Sequence, residues 1–345
     1  MNNLNNITNN IKNNIANDNF GKKLSQIFYK SYNDFMKLSL LHKIFLLMLI
    51  IIFTYLVNKR TIFYEYYEDM TSGKKFESKF DDAIYDAFYA KYYDKIHANK
   101  ERDVGQLKLI VSYAKNKKFV KMLDIGCGTG YHVHMLNKMN YDIIGLDKSE
   151  FMINKAQSNY NNCEFIVGDI LKNNLFDYNS FTHLLCLNKT IYNIKDKNSF
   201  FDSCSLLLTQ DGILIIHLIN RDNFKPFVIS KNDEHILYNP ENYNTAITKT
   251  IIKFNKNLEY VCNYEILDND NNDNNNNDNK PYSCYNEKFE NFETNNVRKN
   301  TVNLYMPTIN EIITIAKSKG FIIKDKKSLD SLGHINEFLY ILKKI

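Results

Sequence analysis

The chain has 345 residues, of which 44% are hydrophobic and 24% charged, a composition typical of globular proteins with one large or two modest domains. Its net charge is +5, and residues 1–43 hold six lysines beside only Asp18 and Asp34. Because the remainder is nearly neutral, the charge pattern excludes a basic face for nucleic acid. A basic leader beside an apolar segment instead favours an anionic membrane surface.

Six cysteines are scattered along the chain without CxxC spacing and without clustered histidines. Two of them, Cys163 and Cys186, fall in or beside predicted strands, where a reduced cysteine behaves as a small apolar side chain. The pattern indicates a reducing compartment, with neither a disulfide framework nor a metal site.

The N-terminal region divides into a leader and an apolar segment. Residues 1–37 are rich in asparagine, which predicts a mostly disordered leader. Residues 44–57 carry no charge, and extending this segment to 38–60 gives enough helix for a bilayer core, so we expect a single transmembrane anchor. A buried core helix is the alternative, because fourteen residues alone are too few to span. Lysines on both flanks leave the orientation open.

The next segments predict a helical cap and then an α/β core. Residues 61–118 have a helical pattern, with an aromatic helix around 84–93 and a second helix at about 100–116. Residues 119–220 alternate short apolar strands with helices, which indicates a parallel sheet covered on both faces. The five predicted strands are Lys121–Ile125, Asp142–Leu146, Glu164–Val167, His183–Leu187 and Ile213–Ile219.

The alternation stops after Asn220. Residues 221–306 predict an antiparallel β insertion of two strand pairs (246–254 with 258–266, and 282–290 with 297–305), separated by a disordered Asn/Asp loop at 268–279. Residues 307–345 predict a helix at about 308–318 and two strands that complete the sheet. The expected fold class is α/β: a seven-stranded, mostly parallel, doubly wound sheet whose last strand is antiparallel.

The sharpest motif is Met122-Leu123-Asp124-Ile125-Gly126-Cys127-Gly128-Thr129-Gly130, an apolar strand followed by alternate glycines and a helix. Glycines in such a turn let the backbone approach a ligand closely. The spacing differs from the G-x-G-x-x-G of a dinucleotide fold. A carboxylate two residues before the first glycine would repel a pyrophosphate but suits an ammonium group, which favours S-adenosylmethionine over NAD.

Two further acids follow predicted strands. Asp147 ends the second strand, where it can accept hydrogen bonds from both hydroxyls of a ribose. Asp169 follows the third strand in Gly168-Asp169-Ile170, where it can accept from an adenine amino group. Each acid alone is typical of a surface turn, but three acids in this order and spacing indicate one cofactor site.

With these motifs, residues 80–220 resemble a class I (Rossmann-like) S-adenosylmethionine-dependent methyltransferase of the small-molecule type. The resemblance implies S-adenosylmethionine as cofactor and a set of cofactor-binding positions around the three acids. This predicted set comprises Asp124, Gly126, Cys127, Gly128, Thr129, Gly130, Asp147, Lys148, Met152, Gly168, Asp169, Ile170 and Asn188. The insertion also resembles that of sugar-amine dimethyltransferases and glycine methyltransferase-like enzymes, on topology alone.

Candidates for catalysis should lie at the carboxyl ends of the strands. Tyr192 follows the fourth strand and His217 lies near the end of the fifth, and His217 is predicted as a general base. Five further side chains are left without an assigned role, namely Tyr89, Tyr93, Arg298, Tyr305 and His334.

The predicted activity is methyl transfer to a small-molecule, lipid or membrane-proximal acceptor. Asn188-Lys189-Thr190-Ile191 differs from the Asn/Asp-Pro-Pro-Tyr/Phe of nucleobase amino methylation, which weakens that acceptor class. The alternative function is a membrane-tethered scaffold that keeps the fold without turnover. Because the cofactor is cytosolic, we expect a single-pass protein whose catalytic domain faces the cytosol.

Overall fold

The computed structural model describes residues 76–172, 175–227, 236–237, 249–267 and 280–345, together with single residues and short runs between 36 and 52. Two compact units make up the chain, Met1–Thr71 and Ser72–Ile345. Across the described residues, no helix is both long and apolar enough to cross a bilayer. Most of the predicted anchor (38–60), the leader and the 268–279 loop lie outside the described residues.

The second unit begins with a strand and the helices that lie before the core. The strand is β1 (Phe76–Phe80), and the helices are α1 (Ala87–His97) and α2 (Lys100–Tyr113). The sequence analysis expected helices alone in this segment. The strand forms because Phe76, Ser78 and Phe80 alternate with charged residues, a period of two that fits a strand.

The α/β core follows the predicted order. Its elements are β2 (Lys121–Ile125), α3 (Tyr131–Lys138), β3 (Asp142–Asp147), α4 (Glu150–Asn159), β4 (Glu164–Val167), β5 (Phe181–Cys186), α5 (Lys197–Leu207) and β6 (Leu208–Ile219). After the insertion come α6 (Ile309–Ser318), β12 (Phe321–Ser328) and β13 (Glu337–Lys344). The sheet order is β12-β13-β6-β5-β2-β3-β4, with β13 antiparallel to both neighbours. The predicted seven-stranded mixed sheet is therefore confirmed.

Alternate residues of the core strands supply two apolar layers. Leu123 and Leu184 pack into one layer, whereas their neighbours Met122 and Leu185 pack into the other. All four side chains are fully buried. The sheet is therefore covered on both faces, as its near-continuous apolar strands require.

The insertion is a second sheet. Its strands are β7 (Ile236–Leu237), β8 (Lys249–Lys253), β9 (Leu258–Ile266), β10 (Ser283–Asn291) and β11 (Asn296–Leu304). The sheet order is β1-β11-β10-β9-β8-β7, and β1 joins it parallel to β11, with Phe76 opposite Val297. This pairing fixes α1 beside the insertion and above the carboxyl ends of the core strands.

Candidate active site

A cavity of about 1290 Å³ lies at the carboxyl ends of the parallel strands. Its lining residues fall into two main sets, one from the strand loops and one from the C-terminal half of the chain. The strand-loop lining consists of Ile125, Gly126, Gly128, Leu146, Asp147, Lys148, Ser149, Met152, Gly168, Asp169, Ile170 and Leu171. The C-terminal lining is Thr190, residues 193–198, Arg221, Lys280, Tyr282, residues 305–307, Asn310, Glu311, Thr314 and Ile315. Asp81, Asp82, Tyr85 and Tyr93 complete the wall.

The glycine loop turns sharply between β2 and α3. Gly126, Gly128 and Gly130 all have positive φ, at 69°, 55° and 86°. A side chain at Gly126 would also collide with Thr190, which lies directly against it. The loop therefore needs glycine both for its backbone conformation and for the close approach of the turn after β5.

Asp147 ends β3 with both carboxylate oxygens held by the backbone. The N–H of Gly128 donates to Oδ2 and the N–H of Ser149 donates to Oδ1, each at 2.9 Å. Burial raises the pKa of Asp147 above its ordinary value, while these two donors oppose the shift. The carboxylate is thus oriented in the cavity wall, with lone pairs left to accept from a diol.

Asp169 follows β4 and lies near Lys148. Its Oδ1 accepts from the N–H of Leu171 at 3.0 Å, and its Oδ2 is 3.6 Å from the ammonium of Lys148. Lys148 also pairs with Asp82, and that hydrogen bond is the main cause of the raised pKa of Lys148. Lys148 thus links Asp169, which follows β4, to Asp82, which precedes α1.

Asp124 lies on β2, directly behind Ile125 and Gly126 of the cavity wall. Its side chain is 3% exposed, and no described residue donates a hydrogen bond to it. Burial first, and the charge of Asp147 second, raise the pKa of Asp124 to about 8. Two neighbouring acids with few compensating donors fit a cationic ligand such as a sulfonium or ammonium group.

The predicted cofactor set divides in two. Eight members line the cavity: Gly126, Gly128, Asp147, Lys148, Met152, Gly168, Asp169 and Ile170. Five do not: Asp124, Cys127, Thr129, Gly130 and Asn188. Thr129 is turned toward α1, where its hydroxyl donates to Asp94, and Gly130 packs beneath the ring of Phe165. The predicted contact of these five residues with a cofactor stays a prediction.

Helix α1 and the turn before it add tyrosines that the sequence analysis left undecided or missed. Tyr93 lines the cavity beside Gly128, and Tyr85, one residue before the N-cap Asp86, lines it as well. Tyr89, between them, instead donates a hydrogen bond to Glu287 at 2.7 Å. The spacing of eight residues from Tyr85 to Tyr93, about two helical turns, was the available sequence signal for one shared face.

The two predicted catalytic residues lie outside the cavity lining. Tyr192 is fully buried, and its hydroxyl accepts from the backbone N–H of Ile219 at 2.8 Å. Nε2 of His217 is 3.0 Å from Oε2 of the buried Glu337, and burial lowers the pKa of His217. Tyr192 is held by the strand beside it, and His217 by an internal acid, so neither shows the exposure to substrate that the sequence analysis expected.

The remaining candidates have structural partners or line the wall. Arg298 is buried and pairs with Asp86 at 2.7 Å, and Nδ1 of His334 is 3.1 Å from Glu337. Tyr305, in contrast, lines the cavity. No group of three or more metal-ligating side chains occurs within the described part of the chain.

Sequence reasoning missed most of the C-terminal lining. Lys197, Arg221 and Tyr282 lie far apart in sequence, and only the folded chain brings them to one cavity. One signal was present: Thr308 and Glu311 form a capping box, which marks the N-terminus of α6 and thereby the cavity wall at Asn310 and Thr314.

Residues 116–271 match a family model described as a methyltransferase domain. A ubiquinone biosynthesis O-methyltransferase of Glaesserella parasuis is 29% identical over 34% of this chain and 52% of its own length. One from Rhodopseudomonas palustris is 25% identical over 32% of this chain and 44% of its own, so the chain spans about half the length of these curated relatives. A putative methyltransferase of Invertebrate iridescent virus 6 is 26% identical over 46% of this chain and 71% of its own.

Solved structures share the fold. The CcbJ methyltransferase from Streptomyces caelestis superposes with a TM-score of 0.53 at 12% identity, covering 74% of this chain and 96% of its own. DesVI of Streptomyces venezuelae gives a TM-score of 0.51 at 14% identity, covering 73% and 97%. Both structures thus cover nearly three quarters of this chain.

Proposed function

We propose, from the premise that this chain is a class I S-adenosylmethionine-dependent methyltransferase, that it methylates a small-molecule acceptor bound in the same cavity as the cofactor. The observation that carries the proposal is the cavity itself. At about 1290 Å³ it exceeds the roughly 300–1,000 Å³ of an ordinary small-ligand site. It therefore has room for a cofactor at the strand-loop lining and an acceptor at the C-terminal lining.

The strand-loop residues fit the cofactor by their chemistry. In this proposal Asp147 accepts from the ribose hydroxyls and Asp169 from the adenine amino group, which their backbone hydrogen bonds support, and the acidic pair Asp124 and Asp147 suits positive charge. Bound there, S-adenosylmethionine would supply its sulfonium methyl group as the electrophile, with S-adenosylhomocysteine as the leaving group and the acceptor's proton passing to a base or to water. The protein contributes alignment and exclusion of water.

An oxygen acceptor is favoured by the curated relatives, two of which are named O-methyltransferases. A hydroxyl must lose its proton to become a good nucleophile, so a base is required. His217, with Glu337 at 3.0 Å, remains our predicted base. Because His217 lies behind the cavity wall, this role requires that the turn at 188–190 or helix α1 shifts when the acceptor binds.

The proposal includes attachment to a membrane through residues 38–60, with the catalytic unit facing the cytosol. Its support is the sequence alone: fourteen uncharged residues at 44–57 with lysines on both sides. The full chain should float with vesicles after expression in cells, and Leu47→Arg with Ile51→Arg should release it. Protection of the catalytic unit from added protease in intact vesicles would reverse the topology.

The activity is tested with the purified full chain, methyl-labelled S-adenosylmethionine and extract separated into lipid, small-molecule, RNA and protein fractions. We expect label in the small-molecule fraction, lost in Asp147→Ala and kept in the matched control Asp142→Ala. Asp142 is exposed at the opposite end of the same strand. Label in another fraction would change the acceptor class. Cofactor binding by calorimetry without label in any fraction would support the scaffold alternative.

A further inference from the structure

Lys197 is a buried cation in the cavity wall. It is the first residue of α5, its side chain belongs to the C-terminal lining, and it is only 4% exposed. Its ammonium donates to the backbone carbonyl of Ile194, and among the described residues no carboxylate lies within 4 Å of it. An ammonium has three donors, so this one has capacity left for a ligand.

The position of Lys197 is unfavourable in the free protein. Burial of a charge without a partner is costly, and the N-terminus of a helix already carries partial positive charge. Burial accordingly lowers the pKa of Lys197 to about 8. An anion bound beside Lys197 would remove this penalty, since both the lysine and the helix terminus attract negative charge.

Arg221 adds a second cation to the same lining. One of its terminal nitrogens donates to the carbonyl of Met306, but its buried Nε has no hydrogen-bond acceptor. The nearest carboxylate oxygen, on Asp222, is 3.7 Å from Nε, which is too far for a hydrogen bond. The guanidinium lies 4.5 Å from the ring centroid of Tyr282, so it is fixed by stacking while its donor stays available.

The acids of the same lining are already engaged. Asp196 caps α5, accepting from the backbone N–H and hydroxyl of Ser199. Glu311 caps α6, accepting from the backbone N–H and hydroxyl of Thr308. The strand-loop lining, in contrast, holds Asp147 and Asp169 with Lys148 as its one cation. The cavity therefore has an acidic cofactor side and a C-terminal side on which Lys197 and Arg221 are incompletely compensated.

We propose that the methyl acceptor is a small organic anion whose carboxylate or phosphate group binds Lys197 and Arg221. The inference rests on the proposed function and adds the charge of the substrate. It separates the roles of the two linings: the acidic side receives a cationic cofactor, and the basic side receives the anionic group of the acceptor. Tyr282 and Tyr305 line the same side of the cavity.

The test is binding of matched ligand pairs to the full chain saturated with S-adenosylhomocysteine, measured by calorimetry. One arm compares hydroxybenzoates and aliphatic hydroxy acids with their carboxamides, and the other compares sugar phosphates with the free sugars. At least one anion should bind ten-fold or more tightly than its neutral partner. The arm in which this occurs identifies carboxylate or phosphate as the group recognised.

Lys197→Met should abolish that preference while leaving the affinity for S-adenosylhomocysteine within about two-fold. Lys108→Met, at an exposed position outside the cavity lining, serves as the matched control and should keep the preference. If no anion in either arm binds more tightly than its neutral partner, or if Lys197→Met keeps the preference, the inference is overturned. If S-adenosylhomocysteine itself does not bind, the proposed function fails instead.

Discussion

The two sheets of this protein have different interiors. The seven-stranded sheet packs apolar side chains on both faces, and the loops at its carboxyl edge line the cavity. The six-stranded sheet buries charged and polar groups within its own face, where Glu287, Arg298 and Asn300 are joined by hydrogen bonds. The first arrangement leaves its ligand-binding groups facing a cavity, whereas the second uses polar groups to attach the sheet to α1.

That attachment is specific. Arg298 donates to the carboxylate of Asp86, the N-cap of α1, and to the carbonyl of Ile84. Glu287 accepts from the hydroxyls of Tyr89 and Tyr260 at 2.7 and 2.8 Å. The insertion thereby holds the helix that covers the glycine loop. The comparison predicts that polar substitutions in the second sheet affect stability and those at the edge of the first affect binding.

The largest expected effect is on the second sheet. Arg298→Met leaves the carboxylate of Asp86 without its buried guanidinium, which should reduce the free energy of unfolding by about 3 kcal/mol. Urea denaturation measures the change. The control is Lys299→Met, which alters the exposed neighbour and should cost less than about 0.5 kcal/mol. Equal effects of the two substitutions would refute a distinct role for the buried network.

At the edge of the first sheet, Asp147→Ala should weaken S-adenosylhomocysteine binding by about 100-fold, since two hydrogen bonds to a charged group are lost. Thermal stability should fall only modestly, because the N–H groups of Gly128 and Ser149 lose their acceptor while the desolvation cost of the buried carboxylate is removed. Calorimetry and a melting curve together provide the check. Intact binding would move the ribose site away from Asp147.

A smaller effect on cofactor affinity is expected from the titration of Asp124. Its pKa of about 8 in the free protein means that it is largely protonated at pH 7, and a bound cation favours the ionised form. Affinity for S-adenosylmethionine should therefore rise by up to about ten-fold per unit from pH 6 to 8 and level off above that. Asp124→Asn should remove this dependence. An affinity that does not change with pH in the unsubstituted protein would contradict this role of Asp124.

The smallest effect is expected from Tyr192→Phe, which distinguishes a structural from a catalytic role of Tyr192. Tyr192→Phe leaves the N–H of Ile219 without its acceptor and should cost about 1 kcal/mol of stability, with methyl transfer kept within about three-fold. Unfolding and initial-rate measurements test both. A loss of turnover greater than 100-fold in a folded variant would restore Tyr192 as the catalytic residue predicted from sequence.

Local patterns account for what could be predicted. The strands Lys121–Ile125 and Glu164–Val167 were predicted to the residue, because each is a short apolar segment bounded by turn residues. Asp147 and Asp169 could be placed at strand ends for the same reason. The buried environment of His217 could not be predicted, because it depends on Glu337, which lies on a strand 120 residues later in the sequence. The cations of the C-terminal lining were missed for this reason too.

The pairing of β1 with β11 has a consequence for synthesis on the ribosome. Strand β1 has no partner until Val297, which pairs with Phe76, has been synthesised. At a translation rate of roughly 5–20 residues per second, this delay is about 10–45 s. During that interval α1 lacks Arg298 at its N-cap, while the glycine loop and Asp147 have already been made. The cofactor site is thus assembled from the core first, and its cover is fixed only after Arg298 has been made.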